Sequence, residues 1–117
     1  MHTHQRDSLL LQRLHAEHRA LTAKLADIGF IWGGSVHSQQ MTCGRPDCAC
    51  HSDPQARHGP YVYWTTKVAG RGVSRLLHPS EAELLSQWVE NRRQLDRIVE
   101  QMKSLSHRAL KVALRLQ

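Results

Sequence analysis

Hydrophobic positions fall into three zones with different periods. In the first, Leu11, Leu14, His18, Leu21, Leu25 and Ile28 recur at alternating steps of three and four. That spacing stacks them on one face and predicts a helix over residues 8–28, with Arg13, Glu17, Arg19 and Lys24 on the rest of the wheel. His18 reads as a seam residue rather than a ligand. Gly29 offers a stop, and Gly33-Gly34 a turn. In the second zone the period drops to two. Tyr61 to Val68 is rich in β-branched and aromatic residues, residues 69–72 read as a turn, and Val73 to Leu77 runs back as the other arm of a hairpin. Val36 to Thr42 adds a third, weakly alternating strand.

The third zone is the longest. Leu84, Trp88, Asn91, Leu95, Ile98, Met102, Leu105, Ala109, Val112 and Leu116 keep the helical spacing, and no Gly or Pro interrupts residues 80–117. Leu85, Val99 and Ala113 widen the stripe. Ser80-Glu81-Ala82-Glu83 reads as a capping box, placing a helix over 80–116. At 1.5 Å per residue that helix is roughly 55 Å long, more than a first helix of about twenty residues can cover. A second copy, as a coiled-coil-like homodimer, is the expected cover, with Asn91 either fixing its register or turned to water. The fold class expected is α+β, in the order helix, small three-stranded antiparallel sheet (residues 35–78), long helix. At 117 residues it is expected to be a single domain.

The chemistry gathers between the first and second zones. All three cysteines lie in Cys43-x4-Cys48-x-Cys50, followed by x7 and His58. Two cysteines one residue apart bridge each other poorly, and an odd count does not suit a secreted disulfide framework. Three thiolates and one imidazole are a standard tetrahedral set for a structural Zn²⁺, one per chain. Gly44 and Pro46 supply a knuckle turn, and Gly59-Pro60 fixes how the strand leaves His58. His51 competes as fourth ligand, but its adjacency to Cys50 makes tetrahedral geometry harder to reach. A site with four protein ligands has no open position for a reacting water, which argues against hydrolysis. Redox pairing of Cys48 and Cys50 is the other chemistry open to thiols, though it favours CxxC at a helix start. No phosphate-cradling glycine loop, nucleophile elbow or HExxH is present, so no catalytic residue is assigned and an enzyme is not expected. His2 and His4 are read as part of a disordered terminus.

Charge adds a partner to consider. Sixteen Lys and Arg oppose ten Asp and Glu, for a net +6. Arg45, Arg57, Lys67, Arg71 and Arg75 lie in the middle segment, and Lys103, Arg108, Lys111 and Arg115 follow the last acid, Glu100. Nucleic acid, DNA first, is the expected partner of these nine residues, with Tyr61, Tyr63 and Trp64 available to stack on unpaired bases. Alternation weighs against Trp64, which shares a face with Val62 and reads as core. The start of the chain carries no apolar leader and no apolar run reaches the ~20 residues that span a bilayer, so a cytoplasmic protein without membrane contact is expected.

The cysteine block, then His58-Gly59-Pro60-Tyr61-Val62-Tyr63-Trp64, a basic hairpin and a long helix, resembles a family of small prokaryotic proteins of unknown function. Its pattern is CG-x3-C-x-C, then HGPYY, then a hairpin with a glycine turn. Val62 stands here between the two tyrosines, a small departure. Members are often encoded beside transposases. The resemblance covers roughly residues 33–100 and implies a mobile-element setting, not an activity. Two functions are therefore expected: a zinc-stabilised DNA-binding accessory or regulatory protein of a mobile element, or a zinc-clipped adaptor whose helical seam binds another protein such as a transposase.

Overall fold

The computed structural model describes residues 2–117. The fold is α+β: helix α1 (His2–Leu25), strands β1 (Ser35–Met41), β2 (His58–Val68) and β3 (Arg71–Leu76), and helix α2 (Pro79–Arg115). The three strands form one antiparallel sheet in the order β1-β2-β3. Two short 3-10 turns, Ala49–His51 and Pro54–Ala56, lie in the β1–β2 connection. The described residues form two compact units, one of residues 2–30 with 91–117, the other of residues 31–90.

In the first unit, α1 covers the apolar stripe of α2. Leu14, Leu105 and Val112 are buried, with Leu11, Leu21, Ala109 and Leu116 packed around them. Part of the α2 seam, around Leu105 and Val112, is thus lined by the chain's own first helix. Asp7 accepts two hydrogen bonds from Arg115, at 3.0 and 3.1 Å, and Glu17 accepts two from Arg108. Asp7 is buried (5 % exposed), and this anchor explains why α1 begins at His2 instead of Ser8: the stretch read as disordered, His4 included, is helical. The helix ends at Leu25, short of Ile28, where Asp27 N–H and Ile28 N–H turn back to the carbonyls of Lys24 and Leu25. Gly29 is therefore not the stop. A Cβ there would stand 3.1 Å from the Asn91 amide nitrogen, which donates to the Phe30 carbonyl at 2.8 Å. Asn91 therefore does not face only water; it holds the chain leaving α1.

In the second unit, one face of the sheet packs on the start of α2. Leu77, Ala82 and Leu85 are buried there, with Val36, Val62, Trp64 and Trp88 against them. Trp64 is half-buried against this core, on the face alternation gives it, and its indole N–H donates to the Gly33 carbonyl at 2.7 Å. Trp32 sits 6.2 Å from Trp64 and 6.3 Å from Trp88, ring centre to ring centre. Gly34 (φ +80°) lies beneath, where a Cβ would run into the Thr65 carbonyl and the Trp64 indole. The stripe on α2 turns at this end: Ala82, Leu85 and Val89 are buried while Leu84 is 56 % exposed. Packing on a sheet and packing on a helix call for different faces of one helix.

Two turns differ from the sequence reading. The hairpin turn is only Ala69-Gly70, both at positive φ (51° and 79°). Both positive values suit a two-residue turn matched to the strand twist, so Arg71 and Gly72 belong to β3. The cap of α2 is shifted two residues upstream. His78 is the N-cap, its carbonyl accepting from Ala82 N–H; Pro79 opens the first turn, where its missing N–H costs nothing. Glu81, not Glu83, reaches back to the His78 N–H at 3.1 Å.

Candidate functional site

The 16-residue connection between β1 and β2 folds around the cysteines. Backbone N–H groups of Cys48, His51, Ser52, Asp53 and Ala56 close tight turns onto the carbonyls of Arg45, Cys48, Ala49 (twice) and Asp53. The Asp53 carboxylate caps the second 3-10 turn through Gln55 N–H at 2.9 Å. These turns aim three sulfurs and one imidazole at a common point. One ligand atom from each of Cys43, Cys48, Cys50 and His58 lies within 4.8 Å of every other. His51 is not in the group; adjacency to Cys50 carries its ring elsewhere.

Two spacings within the group match those around a tetrahedral ion. With Zn–S about 2.3 Å and Zn–N about 2.0–2.1 Å, two sulfurs on one ion sit about 3.8 Å apart, and a sulfur and a nitrogen about 3.5 Å. Cys43 and Cys50 Sγ are 3.6 Å apart, and Cys48 Sγ is 3.5 Å from His58 Nε2. A disulfide needs about 2.05 Å, and all three cysteines are free. Cys50 is buried, and its sulfur accepts the Cys43 backbone N–H at 3.3 Å, a supporting bond of the kind that orients a metal-binding thiolate.

Protonation is uneven across the group. The Cys50 backbone N–H, then His58 and the neighbouring thiols, draw the Cys48 thiol down to about 6. For Cys50 the Cys43 N–H favours the thiolate, but burial and the two adjoining sulfurs outweigh it and push the thiol up. Thiolates crowd one another here unless a cation sits among them. These four residues can hold a metal ion, and the centre ties the end of β1 to the first residue of β2.

That tie orients the open face of the sheet. Across it run His37, Tyr63 and Leu76 in one row, and Gln39 and Tyr61 in the next. His37 and Tyr63 stack at 6.0 Å with their planes 24° apart, and the Tyr63 hydroxyl donates to Met41 Sδ at 2.9 Å. Tyr61 and Leu76 are exposed. His37 was not singled out by sequence, because its position opposite Tyr63 comes from strand register, and β1 alternates too weakly to show it.

The nine basic candidates differ in their partners. Arg75 lies in the row of Trp64 and pairs with Glu81 at 3.1 Å. Lys103 pairs with Glu100, Arg108 with Glu17 and Arg115 with Asp7. Among the described residues, no ion pair engages Arg45, Arg57, Lys67, Arg71 or Lys111. The first two lie in the β1–β2 connection, Arg45 between Cys43 and Cys48 and Arg57 just before His58, and Lys67 and Arg71 stand at the hairpin tip. The strands themselves contain no Asp or Glu.

No described helix is long and apolar enough to cross a membrane. Among curated proteins and among solved structures, nothing matches the chain. A family model does match, over residues 11–87, which takes in α1 from its first stripe residue, the cysteine loop, the whole sheet and the start of α2. The chain belongs to the family described as a domain of unknown function, DUF6788.

Proposed function

We propose that this protein is a zinc-stabilised nucleic-acid-binding accessory protein, with DNA as its partner. The observation that carries the reading is the acid-free sheet: every charged residue in its three strands is Lys or Arg, and its open face carries exposed aromatic rings. Phosphate is drawn to such a surface, and no carboxylate on the strands repels it. The cations assigned to the contact are Arg45, Arg57, Lys67 and Arg71. Arg75, Lys103, Arg108 and Arg115 are committed to carboxylates of their own chain.

Zinc is the metal assigned to the centre, on the three-sulfur, one-nitrogen donor set and the two spacings of 3.5 and 3.6 Å within it. Its role is structural, holding the loop that carries Arg45 and Arg57. An accessory or regulatory role in a mobile element, beside a transposase, is what the resemblance of the cysteine and HGPY blocks implies, and DNA as partner agrees with it.

A second reading, an adaptor acting through its helices, draws on the outer face of α2. Val99, Leu110 and Leu114 are exposed there, and Val99, Met102 and Leu110 line an open groove. A second copy of the chain or a transposase would seat on that face.

Anisotropy titrations with a labelled 20-nucleotide DNA, as duplex and as single strand, over 25–300 mM salt test the leading reading. With four cations at the contact, log affinity should fall against log salt with a slope of up to about −3 to −4. Replacing Lys67 and Arg71 by Glu should weaken binding and flatten that slope. No binding to either form at the lowest salt would overturn it.

A further inference from the structure

We infer that the open face of the sheet is a stacking platform for single-stranded nucleic acid, and that duplex is not its preferred ligand. This rests on the nucleic-acid reading above and names the form of the ligand.

The face combines rings and cations in a particular order. Along β2 the open-face positions are Tyr61, Tyr63, Thr65 and Lys67, and Arg57 immediately precedes the strand. From Tyr61 to Lys67 is six residues, about 20 Å of extended chain, and Gly59 at φ +103° bends the strand just before it. In chain order a cation stands at either end of this stretch, with the aromatic rings between. Across the strands, register adds His37 on one side of Tyr63 and Leu76 on the other. Tyr61 is 40 % and Leu76 53 % exposed.

Such an order suits unpaired nucleotides. An aromatic ring gains most from the flat face of a base, and in a duplex those faces are already stacked on their neighbours. A surface built only for duplex phosphates needs cations alone, with no reason to keep tyrosines and a histidine between them. The opposite face of the same strand carries Val62 and Trp64 into the core, so these rings are not needed for packing there. The Tyr61 side chain has no hydrogen bond or ring partner among the described residues, which leaves its ring free to receive a base. The chemistry fixes single-stranded nucleic acid as the class; DNA and RNA share it and separate in the test.

The test uses the full, zinc-loaded chain and three labelled probes at 50 mM salt: a 15-nucleotide oligo-thymidylate, a 15-nucleotide oligo-uridylate and a 15-base-pair duplex. One or both single strands should bind at least tenfold more tightly than the duplex, and the tighter of the two names the sugar preferred. Tyr61→Leu, which keeps a β-compatible apolar side chain but removes the ring, should lose about fivefold or more in affinity for that strand. Tyr61→Phe should keep it. Zinc content and melting temperature, matched to the parent chain, show that both variants fold. Duplex binding equal to or tighter than single-strand binding would overturn the platform while leaving a nucleic-acid protein, and so would an unchanged Tyr61→Leu. Failure of all three probes would instead overturn the reading on which it rests.

Discussion

Removing the metal should melt residues 43–57 and leave the helical unit intact. This loop has little else to hold it. Cys50 is its only buried residue, and five backbone turn bonds close it. At about 1 kcal/mol net for each bond the turns contribute about 5 kcal/mol, and burying one small thiol side chain adds about 1 kcal/mol. Fixing the backbone of the fifteen residues costs at least about 15 kcal/mol. The gap, about 9 kcal/mol, lies close to the range of about 10–16 kcal/mol found for structural zinc in small peptides. Hydrogen exchange read by mass spectrometry, with and without a strong chelator, measures the outcome. Amides of residues 43–57 should lose their protection on chelation, and in Cys48→Ser without chelator, while α1 and the C-terminal half of α2 keep theirs. His51→Ala should behave as the parent chain. Undiminished protection of the loop in protein that elemental analysis shows to be metal-free would refute the reasoning, because some other force would then be ordering it.

Gly34→Ala should destabilise the sheet unit by about 2–4 kcal/mol in urea titration followed by tryptophan fluorescence. It combines a left-handed φ with a collision against Thr65 and Trp64; Gly33→Ala, with open space around it, should shift stability by less than about 0.5 kcal/mol. Leu105→Ala should cost the helical unit about 2–5 kcal/mol by far-ultraviolet circular dichroism, against almost nothing for exposed Leu114→Ala. Asp7 has its carboxyl held below the usual 3.8 by the Arg115 hydrogen bonds. A depressed carboxylate stabilises the fold above its unfolded pKa, and that contribution disappears as pH falls through the folded value. Asp7→Asn should therefore melt lower than the parent at neutral pH, with the difference closing as the pH drops below about 3.8.

Local pattern carried much of this architecture, and its failures have identifiable causes. Tyr61 to Val68 could be read as a strand because one face needed Val62 and Trp64 inside, and α2 because Ile98 to Leu116 keep one seam throughout. The four candidate ligands could be found because thiols are rare and their spacing fits one ion. Leu84 was misplaced by running a helix-packing period into a segment that packs on a sheet. The cap was misplaced because His78, outside the usual Ser, Thr, Asp and Asn set, precedes a proline that already fits the first turn. No local rule reveals Asp7 meeting Arg115, 108 positions away, nor separates a cation already paired from one left for a ligand. Register was equally hidden, and with it the row of His37, Tyr63 and Leu76.

A metal at this centre would reach beyond the loop it clips. Cys43 follows β1 by two positions and His58 opens β2, so ligation would make a long, irregular excursion act like a short hairpin bend. A slip of one residue between these strands would turn Tyr61 and Tyr63 inward and bring Val62 and Trp64 out to water. An ion held there would act as a pin for alignment, deciding which side chains of the central strand the protein shows to the outside.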